Sequence, residues 1–102
     1  MSMNHVIWST PAFLTLEKLP DNIAFGIVRR TDMLSNFPKM GQILEAKGNS
    51  ATTYRQLIFR KTYRIIYKFD ETKSDIHVVM IQNCKQRIPR LRDLDRIQPN
   101  GN

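Results

Sequence analysis

The spacing of hydrophobic and polar positions divides the chain into a helical first half and a strand-rich second half. The run His5–Trp8 is rich in β-forming residues and predicts a first strand. Ser9 and Pro11 then supply a helix cap and a proline in the first turn. The helix they open has an apolar stripe at helical spacing, formed by Ala12, Phe13, Leu16 and Leu19. Pro20 is expected to end this helix.

A second helix is predicted after Pro20. Either Asp21 or Asn22 can cap it, because both side chains accept hydrogen bonds from free backbone N–H groups. One face of this helix is formed by Ile23, Ile27, Val28, Thr31 and Leu34. The segment 37–41, with Pro38 and Gly41, predicts a loop.

Three strands are predicted in the second half. Residues 54–59 are rich in β-forming types, and residues 63–69 alternate. The alternation puts Arg64, Ile66 and Lys68 on one face, opposite Tyr63, Ile65, Tyr67 and Phe69. Residues 76–81 are apolar on both faces, which is typical of a central strand. The turn at 60–61 lacks the glycine or asparagine of a two-residue hairpin, so a longer loop is also open.

The order of elements indicates the fold class. Pro89 can open a short last helix that contains Leu91, Leu94 and Ile97. The order β-α-α-β-β-β, with this short helix, predicts an α+β domain. We expect two N-terminal helices packed on one face of a small, mainly antiparallel sheet. The chain has 102 residues, which fits a single domain over 1–97 followed by a frayed tail at 98–102.

Composition excludes several classes of protein. The single cysteine, Cys84, excludes a scaffold held by intramolecular disulfides. No apolar run approaches the roughly 20 residues that span a bilayer, and the N-terminus has no secretion signal pattern. We therefore expect a cytoplasmic protein with no membrane partner. No residues have metal-ligand spacing and there is no glycine-rich phosphate loop, so we expect no metal and no cofactor.

The positive charge is concentrated in the second half of the chain. Of the formal net charge of +7, residues 54–102 contribute +6, from eleven basic and five acidic residues. The basic cluster comprises Arg55, Arg60, Lys61, Arg64, Lys68, Lys85, Arg87, Arg90 and Arg92. Such a cluster suits nucleic acid, an anionic membrane or an acidic protein, although a solvated face without function has the same composition.

Groups typical of catalytic sites are sparse. His5 and His77 are far apart, and a half-buried structural role is the favoured interpretation of His77. Glu45 is either a base near a phosphate or a solvated carboxylate. RNA cleavage does not strictly need histidine, because arginine and lysine can orient the phosphate and stabilise its pentacovalent form. The basic cluster is therefore catalytic, phosphate-binding or a docking surface.

An ordered set of short motifs resembles the RelE/ParE toxin superfamily. The set comprises the segment 37–41, then Tyr54-Arg55, then 63–67 (Tyr-Arg-Ile-Ile-Tyr), then an apolar strand that ends in a basic segment. The resemblance extends from about Val6 to Leu94. It implies a small basic toxin with a separately encoded antitoxin as its partner.

The resemblance also implies site residues and two alternative targets. RelE-like members cut mRNA on the ribosome, whereas ParE-like members bind DNA gyrase and are not nucleases. Arg64 matches the arginine that contacts the scissile phosphate, and Lys85 and Arg87 lie where a second arginine follows the last strand. Cys84 and Leu91 stand where a histidine and a tyrosine are common.

Three hypotheses follow. The first is a ribosome-dependent mRNA endonuclease, with Arg64, Lys85 and Arg87 as catalytic residues. In this hypothesis nucleic acid also binds Arg55, Arg60, Lys61, Lys68 and Arg90. The second is a gyrase inhibitor without nuclease activity. The third is an inactive homologue that still binds the antitoxin.

Overall fold

The computed structural model describes residues 3–98. Its helices are α1 (Thr10–Glu17), α2 (Asp21–Asp32) and α3 (Leu91–Asp95), with a 3-10 turn at Met33–Ser35. Its strands are β1 (His5–Trp8), β2 (Gln42–Ile43), β3 (Tyr54–Phe59), β4 (Tyr63–Asp70) and β5 (Asp75–Asn83). The predicted order of elements is confirmed, with the short strand β2 as an addition.

The five strands form one sheet in the order β1-β5-β4-β3-β2. Strand β1 pairs in parallel with β5, and all other neighbours are antiparallel. The sheet is therefore mainly antiparallel, as predicted. Strand β5 has neighbours on both sides, which agrees with its apolar pattern on both faces.

One face of the sheet packs against α1 and α2. Ser9 caps α1 by accepting a hydrogen bond from the Ala12 N–H at 3.1 Å. The core on this face contains Ala12, Ile27, Leu34, Leu57, Ile65, Tyr67, Ile76, Val78 and Ile81. The fold is thus the α+β arrangement predicted from the sequence.

The opposite face is covered by the C-terminal segment. A second cluster there contains Leu44, Tyr54, Ile66, Val79 and Leu94. Helix α3 therefore lies on the other side of the sheet from α1 and α2. A register shift between Ile66 and Tyr67 leaves Val79 as an extra residue on β5, and both Val79 and the adjacent Met80 pack in or against this second cluster.

Three details of the sequence prediction are wrong. Phe13 is 45% exposed and does not belong to the buried stripe of α1. Pro20 occupies the N-cap position of α2, which begins at Asp21, so neither Asp21 nor Asn22 is the cap. Strand β5 ends at Asn83 and not at Ile81, because its last residues still pair with the start of β4.

Candidate functional site

Arg64 lies near the start of β4, on the sheet face opposite α1 and α2, where neighbouring strands hold its guanidinium. Its Nε donates a hydrogen bond to Oε1 of Gln56 on β3 at 2.9 Å. Its Nη1 donates to Oε1 of Gln82 on β5 at 2.7 Å and to the Gln86 carbonyl at 3.5 Å. Within residues 3–98, Nη2 has no hydrogen-bond partner, and no carboxylate lies within ion-pair distance of Arg64. The guanidinium is thus held by neutral acceptors, which do not offset its positive charge.

The segment after β5 folds back beside Arg64. Gln82 Nε2 donates to the Arg87 carbonyl at 3.2 Å. Gln86 Oε1 accepts from the Asn83 N–H at 2.9 Å. These bonds and the Gln86 carbonyl bring the backbone of 86–87 to Arg64, while the residues Lys85 and Arg87 are exposed. The structure therefore places the backbone of the segment that contains Lys85 and Arg87 beside Arg64, whose own side chain is held by Gln56 and Gln82.

The hairpin between β3 and β4 adds two more cations at this end of the sheet. Arg60 and Lys61 both have positive φ angles, of 52° and 59°, which non-glycine residues rarely adopt. The loop contains three residues, 60–62, so the longer alternative is the one found. Cys84 donates its N–H to the Thr62 carbonyl at 2.7 Å, which joins this hairpin to the segment after β5.

A groove of about 570 Å³ adjoins the Arg64 site. It is lined by Gln42, Ile43, Glu45, Gln56 and Ile88. Gln56 belongs to both features, because it lines the groove and binds Arg64. The groove therefore places the Glu45 carboxylate in the same lining as Gln56, which binds the Arg64 guanidinium.

Lys68 shares the sheet face of Arg64 but is not part of the same site. The two residues are four positions apart on β4, which corresponds to about 13 Å along a strand. Ile66 lies between them and is buried in the cluster that includes Leu94 of α3. Lys68 instead lies over the Tyr54 ring, with its Nζ 6.0 Å from the ring centroid.

Two other predicted nucleic-acid contacts lie on different elements from Arg64. Arg55 is on the α1–α2 face, where its Nη1 donates to the carbonyls of Gly41 at 2.8 Å and Lys39 at 3.3 Å. Arg90 is exposed at the N-cap of α3. The basic cluster of the sequence is therefore spread over several surfaces, with its densest part around Arg64.

A second groove, of about 610 Å³, opens at the far end of β4. Arg55, Lys68 and Lys73 line it together with His77. His77 is half-buried, as expected, and its Nδ1 is buried without a hydrogen-bond partner in the described residues. Burial lowers the pKa of His77, and the nearby Lys68 lowers it further. The lowered pKa favours the neutral imidazole, which adds no positive charge to this groove.

Cys84 and Leu91 occupy the positions where the resemblance implies a histidine and a tyrosine, and both are partly buried. Cys84 is a half-buried free thiol. Leu91 packs against the second cluster, and its N–H donates to the Lys47 carbonyl at 2.9 Å. In the described part of the chain, no group of acidic, histidine or cysteine residues could hold a metal ion. Nor does any helix there have the length and apolar character to cross a membrane.

Sequence reasoning missed the two glutamines that bind Arg64. The only signal in the sequence was the position of each glutamine within its strand. Gln82 is a polar residue at the end of an otherwise apolar strand, and it faces Arg64 directly in the β4–β5 register. Gln56 stands on β3 at alternate spacing with Tyr54 and Ile58. Without that register, neither residue can be assigned to Arg64.

Comparison with solved structures identifies the fold. A chain of the RelBE2 toxin–antitoxin complex from Mycobacterium tuberculosis matches with a TM-score of 0.65 and 24% identity. The match covers 84% of this chain and 97% of that one. The chain has the fold of the RelE toxins.

Other RelE structures agree. A mutant of the E. coli toxin RelE in the free state matches with a TM-score of 0.65 and 12% identity, covering 83% of this chain and 86% of that one. An archaeal RelE–RelB complex from Pyrococcus horikoshii matches with a TM-score of 0.66 and 15% identity, covering 83% and 99%. No protein-family model matches the chain, and no curated protein matches it significantly. The resemblance predicted from the motifs is confirmed for the fold.

Proposed function

We propose that this chain is the toxin of a toxin–antitoxin pair and that it cuts mRNA on the ribosome. The observation that carries the proposal is the Arg64 guanidinium, which is oriented by neutral acceptors and whose Nη2 has no partner among residues 3–98. An oriented guanidinium of this kind binds phosphate oxygens and stabilises charge that develops on them. This role is the one that the resemblance to RelE-like toxins implies for Arg64.

Around Arg64, the exposed cations supply the remaining contacts with RNA. Lys85 and Arg87 flank the phosphate that Arg64 binds, and Arg60 and Lys61 extend the positive surface. Glu45 in the adjoining groove is the candidate acceptor for the proton of the attacking 2′-hydroxyl. Arg55, Lys68 and Arg90 contact RNA outside this centre.

The partner in the cell is a cognate antitoxin, and the site of action is the cytoplasm, where ribosomes translate. The comparison structures include toxin–antitoxin complexes with the same fold. An acidic antitoxin segment has a complementary surface in the +6 half of this chain. Binding over that surface blocks access of RNA to Arg64.

The test is a translation reaction with purified components, followed by primer extension on the template mRNA. Wild-type protein is expected to cut translated mRNA only. Arg64→Ala is expected to reduce cleavage about 10²- to 10³-fold, as for other donors to a developing oxyanion. Arg64→Lys retains charge without the planar fork and is expected to recover only part of the activity.

The matched control is Lys18→Ala, which removes an exposed cation at the C-cap of α1, the helix that packs on the opposite face of the sheet from Arg64. It is expected to cut like the wild type. Normal cleavage by a folded Arg64→Ala protein would contradict the role of Arg64. Intact mRNA with the wild-type protein would contradict the nuclease proposal as a whole.

One observation favours a second candidate function, inhibition of DNA gyrase. Leu91, at the position expected for a nuclease tyrosine, packs in the apolar cluster under α3 and offers no acid, base or stacking group. An inhibitor that binds gyrase without cutting RNA needs no such group. A supercoiling assay with purified gyrase decides this point, and loss of supercoiling with mRNA left intact would support it. A folded protein that is inert in both assays but binds the antitoxin is an inactive homologue.

A further inference from the structure

We propose that Gln56 and Gln82 are positioning residues that fix Arg64 as a receptor for a phosphoryl oxygen of RNA. This inference rests on the proposed function and extends it to residues that do not contact the substrate themselves. It has two parts. The two amides set the orientation of the guanidinium, and their neutrality preserves its positive charge for the phosphate.

The geometry supports the first part. Gln56 and Gln82 come from the strands on either side of β4, and their Oε1 atoms accept from different nitrogens of Arg64 at 2.9 and 2.7 Å. Two bonds from opposite sides restrict rotation about the long arginine side chain. The group then meets its ligand with little further loss of side-chain entropy. Nη2 is the nitrogen left for the ligand.

The chemistry of the acceptors supports the second part. Buried or half-buried arginines usually pair with carboxylates, which form charge-assisted bonds but neutralise the cation. Here both side-chain acceptors are amide oxygens, and the third is the Gln86 carbonyl. A carboxylate at either position would compete with phosphate for the same guanidinium. The use of two glutamines therefore suits a guanidinium that must bind an anion.

Gln82 has a second contact that Gln56 lacks. Its Nε2 donates to the Arg87 carbonyl at 3.2 Å, while its Oε1 accepts from Arg64. One amide thus sets the position of both Arg64 and the backbone between the exposed Lys85 and Arg87. We expect substitutions of Gln82 to have larger effects than the same substitutions of Gln56.

The experiment compares Gln82→Glu and Gln82→Met with the wild type. Gln82→Glu is nearly isosteric and keeps an acceptor but adds a negative charge next to Arg64. Gln82→Met removes the acceptor and adds no charge. Asn22→Asp is the matched control for the added negative charge, since Asn22 is exposed on α2, the helix that packs on the opposite face of the sheet from Arg64. Folding of each variant is checked by its urea midpoint.

The readouts are RNA binding, cleavage and the NMR signal of the Arg64 Nε–H. RNA binding uses a single-stranded oligonucleotide whose 2′-hydroxyls are methylated, so that it cannot be cut. Gln82→Glu is expected to weaken binding by about tenfold or more and to reduce the salt slope by about 0.7, the value of one phosphate contact on a single strand. Gln82→Met is expected to lower kcat more than it raises KM and to alter the Arg64 Nε–H signal. Asn22→Asp should change none of these.

The outcomes separate this inference from the proposed function. If wild-type protein cuts mRNA and folded Gln82→Glu binds and cuts equally well, the positioning role is wrong and the nuclease stands. If wild-type protein does not cut but binds the oligonucleotide, and Gln82→Glu weakens that binding, the nuclease proposal is wrong. The role of Gln82 in phosphate binding by Arg64 is then still supported. If the wild type neither cuts nor binds RNA, both proposals are wrong. A loss of stability with unchanged activity per folded molecule would assign the glutamines a structural role only.

Discussion

At the scale of single residues, the hydroxyl of Tyr54 connects the sheet to the C-terminal helix. Tyr54 is 2% exposed, and its hydroxyl donates to Asp95 Oδ1 at 2.6 Å. Ser50 donates to the same carboxylate oxygen at 2.9 Å. Burial raises the pKa of Tyr54, and the hydrogen bond to Asp95 raises it further. The two hydrogen bonds also lower the pKa of Asp95.

The first prediction concerns this hydrogen bond. Tyr54→Phe is expected to lower the free energy of unfolding by about 1 kcal/mol, the usual value of one hydrogen bond. Because the pKa of Tyr54 is raised on folding, its contribution is complete below pH 10 and declines as the pH rises above that. The variant should therefore lose less stability than the wild type between pH 9 and pH 11. Urea denaturation at several pH values measures both effects.

Tyr63→Phe is the control, because the Tyr63 hydroxyl makes no hydrogen bond within the described residues. Equal losses from both substitutions would show that the contact with Asp95 contributes nothing to stability.

The second prediction concerns His77. Because burial lowers its pKa on folding, the unfolded chain binds the proton more tightly, and stability falls as the pH drops below about 6.5. His77→Gln should weaken this dependence between pH 7.5 and pH 5. His5 is exposed, so His5→Gln serves as the control and should leave the wild-type dependence in place. Identical pH profiles for wild type and His77→Gln would contradict the role of burial.

At the scale of elements, the loop before β2 is joined to the sheet through Gly41. The Gly41 N–H donates to the Tyr67 hydroxyl at 3.0 Å, and that hydroxyl donates to the Pro38 carbonyl at 2.8 Å. The Gly41 carbonyl accepts from Arg55 at 2.8 Å. A Cβ at position 41 would lie 2.7 Å from both the Gln56 carbonyl oxygen and the Tyr67 hydroxyl oxygen. Only glycine fits here without movement of buried groups.

The third prediction follows from that contact. Gly41→Ala is expected to lower the free energy of unfolding by about 1–3 kcal/mol, the range for overpacking at a buried site. The neighbouring Gln42 is exposed, so Gln42→Ala should change stability by less than about 0.5 kcal/mol. Thermal denaturation of the two variants compares them directly. If Gly41→Ala left the free energy of unfolding unchanged, β3 and Tyr67 would be able to move away from the added Cβ.

The elements show what sequence patterns can and cannot predict. Strands β3 and β4 follow from their residue types and alternation, and α2 follows from its apolar face. The sequence does not predict β2, because a strand of two residues is too short to show an alternating pattern. The side of the sheet that α3 covers was also missed, because Leu91, Leu94 and Ile97 show only that a helix is amphipathic and not where it packs.

The same distinction applies to the candidate site: some of its residues follow from the sequence pattern, and others follow only from the tertiary structure. Arg64 was found because alternation placed it outside the buried face and the family motif matched it. Gln56 and Gln82 could not be found, because their relation to Arg64 depends on the register of two strand pairs and on a loop that folds back. The separation of Lys68 from Arg64 depends on where α3 packs, which is also a tertiary property.

At the scale of the whole molecule, charge is the dominant feature. Within residues 3–98, only two ion pairs form between side chains, Lys39–Glu71 and Arg96–Asp93. Most basic side chains are therefore available to a polyanion, and the positive field extends well beyond Arg64. Long-range attraction of this kind speeds association and falls with ionic strength.

The fourth prediction concerns this field. Arg87→Ala should reduce the salt slope of RNA binding by about 0.7, because it removes one phosphate contact near Arg64. Lys18→Ala removes an exposed cation just after α1 and should leave the slope unchanged. Fluorescence anisotropy with a single-stranded RNA at several salt concentrations gives both slopes. Equal slopes for the two variants would indicate that RNA has no preferred surface on the protein.

The parallel pairing of β1 with β5 has a consequence for the order of folding. The first strand, His5–Trp8, finds its partner only in Asp75–Asn83, so the sheet closes through a contact of very long sequence separation. Gln82 and Gln86, which orient Arg64, belong to the same late part of the chain. A nascent chain that ends before residue 75 thus contains Arg64 and Gln56 but lacks the closing strand and the other two acceptors that set the geometry of Arg64. Whatever chemistry Arg64 performs can begin only after residues 75–86 have been synthesised and have joined the sheet.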